Sequence, residues 1–164
     1  MNFVNSFNEY TNSINSILSN IPNKSFEDSI NMISNTKKNK GKIYIVGNGG
    51  SSSIASHVSV DFAKVAKIRS STFNNANLIT CFANDYGYEN WVLEAIKAYM
   101  SKKDMIILIS SSGASKNIIK AAKYCNLKSI NLITFSGFKK NNLLSKYGKV
   151  NFYINSKQYN FIEM

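Results

Sequence analysis

The chain has 164 residues, 44% hydrophobic and 18% charged, which suits one globular domain with a sizeable apolar core. No apolar run is long enough to span a bilayer, and Met1-Asn2-Phe3-Val4-Asn5-Ser6 lacks the basic-then-apolar layout of a signal peptide. No membrane association and a cytoplasmic address are therefore expected. The formal charge of +11 raises nucleic acid as a partner, but Arg69 is the single arginine and the lysines are scattered. Planar guanidinium forks for bases and phosphates are thus nearly absent, which disfavours nucleic acid, whereas an anionic metabolite gains from the same positive field.

In chain order, Val4, Phe7, Tyr10, Ile14, Ile17, Leu18 and Ile21 fall at helical spacing and stop at Pro22. Phe26, Ile30 and Ile33 predict a second helix, and Lys37-Lys38-Asn39-Lys40 a solvated loop. Lys42-Ile43-Tyr44-Ile45-Val46 has the form of a buried strand. Gly47-Asn48-Gly49-Gly50 breaks it, and a helical pattern runs from Ser51 to about Lys67. Asn77 to Phe82 is strand-like, followed by Asn84-Asp85 and a helix from about Tyr88 to Met100. Met105 to Ile109 is a strand, followed by Ser110-Ser111-Ser112-Gly113-Ala114-Ser115 and a helix to about Cys125. Strands over Ser129 to Phe135 and Lys149 to Ile154 complete the set.

This alternation predicts an α/β fold: a five-stranded parallel sheet flanked by helices on both faces, in three αβα layers. Residues 1-40 form a leading helical segment and 41-164 the sheet core of a single domain. Cys81 and Cys125 lie in or beside apolar stretches without CxxC spacing, so both are expected to be reduced, buried thiols. Ligands of such folds bind beyond the carboxyl ends of the strands, where three polar turns are expected to converge.

The serine turn joins a strand to a helix whose first amides lack intrahelical partners and whose dipole favours an anion. Gly113 permits close approach, and Ser110, Ser112 and Ser115 supply hydroxyl donors, so the turn fits a phosphate. Simple N-capping by Ser115 accounts for one serine and leaves the others unexplained. Asn48-Gly49-Gly50-Ser51 turns sharply after a buried strand and offers amides to a ligand. It is neither a Walker A nor a GxGxxG motif, so no nucleotide cofactor is indicated. His57, the sole histidine, and Asp61 stand four apart on the following helix. They form either a surface hydrogen bond or a functional pair that moves a proton or holds a divalent metal. Asp85 suits a helix N-cap, and Tyr86, Tyr88 and Trp91 suit packing or subunit contact.

Three segments in this order resemble the SIS (sugar isomerase) domain family, on its phosphoheptose isomerase branch. They are Val46-Gly47-Asn48-Gly49-Gly50-Ser51 with His57 and Asp61, then Phe82-Ala83-Asn84-Asp85-Tyr86-Gly87-Tyr88-Glu89, then Ile109 to Ser115. The resemblance implies a homotetramer with active sites between subunits. It also implies interconversion of a seven-carbon ketose phosphate and aldose phosphate through an enediol, feeding lipopolysaccharide or capsule heptose. Asn48, Gly49, Gly50, Ser51, Asn84 and Asp85 would meet the sugar, and Ser110, Ser111, Ser112 and Ser115 the phosphate. His57 would be a zinc ligand (Zn2+) where metal is present, with Asp61 in the place of the family's glutamate base and ligand.

Asp61 is one methylene shorter than that glutamate. The family also ends in a long helix bearing a glutamine and then a histidine. Gln158-Tyr159-Asn160-Phe161-Ile162-Glu163-Met164 matches its beginning, and the sequence stops before the histidine. Glu163 falls near the glutamine position, as a candidate catalytic group and metal ligand. These departures keep a second expectation in view, a non-catalytic SIS module that binds a sugar phosphate or a protein such as a replication initiator.

Overall fold

The computed structural model describes residues 3–163. Helices α1 (Phe3–Ser19) and α2 (Asn23–Lys38) lead into β1 (Ile43–Val46), α3 (Gly50–Lys64) and β2 (Ser70–Thr72). Helices α4 (Ala76–Tyr86) and α5 (Trp91–Tyr99) precede β3 (Met105–Ser110), α6 (Lys116–Leu127), β4 (Asn131–Ser136), β5 (Val150–Tyr153) and the short α7 (Tyr159–Ile162). The five strands pair in the order β2-β1-β3-β4-β5, and every pairing is parallel.

Side chains alternate across a strand, so each apolar strand feeds two cores. Tyr44, Val46, Ile106, Leu108 and Leu132 face Trp91, Ile96, Ile118 and Ala122 of α5 and α6. Ile43, Ile45, Met105, Ile107, Ile109 and Ile133 face the other way, toward Ala55 of α3 and Met32 and Ile33 of α2. The helices after β1 and β3 therefore lie on opposite faces of the sheet. Because β1 and β3 are neighbours, their carboxyl ends form the switch point at which open α/β sheets hold ligands.

Four strands stand where the apolar runs place them, and one does not. Residues 77–82 belong to α4, while the sheet's edge strand is the polar Ser70–Thr72. Leu78, Ile79, Phe82 and Ala83 pack on the core at spacings of one and four, a helical stripe rather than a strand's alternation. Lys37 and Lys38 fall in the last turn of α2 instead of a loop, where they suit the helix dipole. Cys125 is buried as expected, but Cys81 is exposed on α4.

Helix α1 buries none of its described residues, and Phe3, Phe7 and Leu18 remain largely exposed, as do Phe26 and Ile30 of α2. An apolar groove of about 510 Å³ runs beneath these helices against the sheet. Among the described residues no helix is long and apolar enough to cross a membrane.

Candidate functional site

At the switch point the two turns meet. A cleft of about 320 Å³ is lined by Asn48, Gly49, Gly50 and Ser51 from the first, and by Ser110, Ser111, Ser112 and Ser115 from the second. Tyr159, at the start of α7, and Glu163, just after its end, close it. Eight of the ten residues expected to meet the sugar or the phosphate are thus brought together, and Glu163 joins them.

The first turn is held by its neighbours. The side chain of Asn74 accepts from Gly47 N at 3.2 Å and donates to Gly47 O at 2.7 Å, clamping the end of β1. Gly49 then takes φ +54°, a conformation that disfavours a side chain, and serves as N-cap of α3 without a side-chain cap. Asn48 pairs with Asn117 of α6 through two amide hydrogen bonds, of 3.0 and 2.9 Å. Its Oδ1 also accepts from the Tyr88 hydroxyl at 3.4 Å.

The second turn is braced from behind. Gly137 N donates to Ser111 O at 2.9 Å and Leu144 N to Gly113 O at 3.0 Å, fixing the turn to the segment between β4 and β5. Gly113 has φ +64°, and a Cβ there would lie 2.2 Å from Cγ of the buried Asn142. Ser115 holds the N-cap position of α6, yet its hydroxyl makes no capping bond and instead accepts from Ser110 Oγ at 3.1 Å. N-capping by that side chain therefore does not explain the serine, and the start of α6 opens on the cleft without it.

Glu163 supplies the carboxylate among the cleft's lining residues. Its Oε1 accepts from Ser51 Oγ and from Ser111 Oγ, each at 2.8 Å. A carboxylate fed by two hydroxyls marks a seat for negative charge beside the serine turn. Outside the cleft, Lys116 and Lys120 reach Glu89 at 2.8 and 3.1 Å. Hydrogen bonds from Lys116 and then Lys120 hold the Glu89 carboxyl below its usual range, and Glu89 in turn raises Lys116.

Other expected site residues lie elsewhere. His57 and Asp61 do pair, at 3.4 Å, but on a solvent-facing side of α3 with side chains 80% and 53% exposed, and neither lines the cleft. Asn84 and Asp85 lie in the last turn of α4, not after a strand, and hydrogen-bond each other at 3.0 Å. Neither lines the cleft, and Asp85 is not an N-cap. Among the described residues no three His, Cys, Asp or Glu side chains gather about one point as a metal site. The suggested zinc set of His57, Asp61 and Glu163 is therefore not assembled within one chain.

Asn117 and Asn74 are not indicated by sequence, while Tyr88 is expected only in packing or subunit contact and Tyr159 only as part of the final helix. Asn117 follows Lys116 in a helix whose exposed face is lysine-rich, and only its position two residues after the serine turn could have singled it out.

The SIS domain family model matches residues 9–137. Phosphoheptose isomerase of Helicobacter pylori (strain P12) is 36% identical over 122 residues, covering 69% of this chain and 64% of that protein. Phosphoheptose isomerase 2 of Campylobacter jejuni is 39% identical over 108 residues, covering 61% and 53%. The matched stretch thus spans less than two thirds of either relative. The structure of phosphoheptose isomerase from Neisseria gonorrhoeae superposes with a TM-score of 0.88 at 21% identity, covering 98% of this chain and 88% of that one. That from Francisella tularensis gives 0.85 at 20% identity, covering 99% and 91%. The two solved structures share the fold, the family model spans most of the sequence, and this chain belongs to the SIS domain family, with its likenesses on the phosphoheptose isomerase branch.

Proposed function

We propose that the chain is an aldose–ketose isomerase of the phosphoheptose isomerase type. It would convert sedoheptulose 7-phosphate into glycero-manno-heptose 7-phosphate for bacterial surface glycans. The observation that carries this reading is Glu163 beside the serine turn: one cleft holds a phosphate seat and a carboxylate able to move a proton. The curated relatives, named as phosphoheptose isomerases, support the choice of sugar.

In this reading Ser110, Ser111, Ser112, Ser115 and the start of α6 grip the phosphate. Asn48 and the amides of Gly49 and Gly50 meet the sugar near its carbonyl. Glu163 takes a proton from the hydroxyl-bearing carbon beside the carbonyl, leaving an enediolate. The hydroxyl proton passes to the former carbonyl oxygen, and Glu163 returns its proton to the former carbonyl carbon, so that the carbonyl moves by one carbon. Hydrogen-bond donors at the developing oxyanion lower that barrier.

The exposed apolar residues of α1 and α2 support assembly of several copies, with a tetramer as the expected state. In such an assembly His57 and Asp61 reach a cleft only if a second copy brings them there. A zinc ion on this pair would need further ligands from that copy. The lack of a membrane-crossing helix among the described residues accords with a cytoplasmic enzyme.

One observation favours a second reading. Asp61 stands outside the cleft, so a single chain has the phosphate seat without the carboxylate expected to act as base. A non-catalytic sugar-phosphate module has this form, and the same fold occurs in a Vibrio vulnificus NanR protein complexed with ManNAc-6P, at TM-score 0.67. Incubation with sedoheptulose 7-phosphate and detection of the aldose by mass-resolved chromatography separates the two. Turnover supports the isomerase, whereas binding without turnover supports the module.

A further inference from the structure

We propose that Asn117 is a positioning residue that fixes the Asn48 amide as a hydrogen-bond donor to the reacting end of the sugar. This rests on the isomerase reading. A primary amide has two acceptor sites on oxygen and two N–H donors. Asn48 Oδ1 accepts from Asn117 Nδ2 at 2.9 Å and from Tyr88 Oη at 3.4 Å, which fills both acceptor sites. Asn48 Nδ2 donates one hydrogen to Asn117 Oδ1 at 3.0 Å. One N–H remains, on a residue that lines the cleft beside Gly49 and Gly50.

The reciprocal pair also sets orientation. Turning either amide alone would place nitrogen against nitrogen and oxygen against oxygen. Turning both together would set Asn48 Nδ2 against the Tyr88 hydroxyl, which donates to Asn48 Oδ1 at 3.4 Å, so Tyr88 marks the orientation of the pair. In this orientation Asn48 offers a ligand a proton rather than a lone pair. Such a group suits a carbonyl oxygen that gains negative charge as an enediolate forms, and it suits a hydroxyl donor poorly. The pair further ties the turn after β1 to the helix that starts at the phosphate seat, and so helps to set the spacing between phosphate and carbonyl.

The test uses Asn117→Leu, an uncharged variant of similar size, in the full chain with sedoheptulose 7-phosphate. The expected result is a fall in kcat of about 10- to 100-fold, with KM within about threefold because the phosphate seat is untouched. In an Asn48→Ala background the same substitution should lower kcat no further. Losses that multiply in the double variant, or an unchanged kcat in Asn117→Leu, overturn the proposal. If Asn117→Leu does not fold, Asn117→Asp keeps the shape, removes the donor to Asn48 Oδ1, and is judged by the same cycle. If the wild-type chain shows no turnover, the isomerase reading fails by itself. The amide pair is then judged by NMR. One Asn48 side-chain proton should exchange slowly in the wild type and rapidly in Asn117→Leu, and rapid exchange of both in the wild type overturns it.

Discussion

Ser111 Oγ donates to Glu163 Oε1 at 2.8 Å, the oxygen that also takes the Ser51 hydroxyl. The carboxylate thus touches both turns of the cleft at once, and a phosphate seated on the serines would meet it as a like charge. Glu163→Gln keeps the volume and an acceptor oxygen while removing that charge. Loss of a proton-moving group should lower turnover by about 100-fold or more. Inorganic phosphate should bind several-fold more tightly, by calorimetry. Activity within threefold of the wild type would remove Glu163 from the mechanism.

Gly113→Ala tests the brace behind the phosphate seat. The new Cβ would stand 2.2 Å from Asn142 Cγ, and φ +64° disfavours any side chain. Asn142 cannot yield easily, because its Nδ2 donates to Ser136 Oγ at 2.8 Å and its Oδ1 accepts from Ser145 N at 3.1 Å. Overlap of this kind costs about 1–3 kcal/mol, so urea unfolding should show a lower midpoint. Phosphate affinity should fall in the same variant, because the turn itself must shift. A variant with wild-type stability and binding would mean that the turn tolerates the side chain.

The two thiols should differ in reactivity. Burial among Ala121, Ala122 and Ile118 pushes the Cys125 thiol up to about 12, so at pH 8 almost none of it is thiolate. Cys81 is exposed on α4. Titration of native protein with a chromogenic disulfide should therefore label one thiol promptly, and a second only after denaturant is added. Prompt labelling of both would show that the core around Cys125 opens readily.

Asp61 provides the test of assembly. Its contact with His57 is largely exposed, so Asp61→Asn should change stability by no more than about 0.5 kcal/mol. If a second copy carries Asp61 to the cleft, the variant loses turnover although it still binds phosphate. Mixing it with Glu163→Gln after joint unfolding and refolding should then restore part of the activity, since mixed assemblies contain cleft positions with both carboxylates. Full activity of Asp61→Asn alone would exclude Asp61 from the reaction.

What was legible in sequence follows from where burial is complete. Strands β1 and β3 are buried at every position, so Ile43 to Val46 and Met105 to Ile109 stand out as apolar runs. The edge strand Ser70–Thr72 is only half-buried and polar, and three residues carry no periodicity to detect. The apolar residues of α4 read as a strand in sequence because Leu78-Ile79 and Phe82-Ala83 are adjacent pairs, which suit either period over so short a span. The same pattern puts Asn84 and Asp85 after a strand, whereas they lie in the last turn of α4. Both ligand turns were legible because glycines and serines after a buried strand have few other uses. Asn117 was hidden for the opposite reason, as a buried asparagine made necessary by a contact 69 residues away.

The bond between Glu163 and Ser51 joins residues 112 apart in the chain. Parallel strands already make folding slow, since each pairing closes a long loop before its contacts are gained. On a ribosome, where synthesis runs from the amino end, both ligand turns can form against β1 and β3 well before α7 exists. The nascent protein should therefore acquire its anion grip before its carboxylate, and a ligand present during translation would meet a receptor before it met a catalyst.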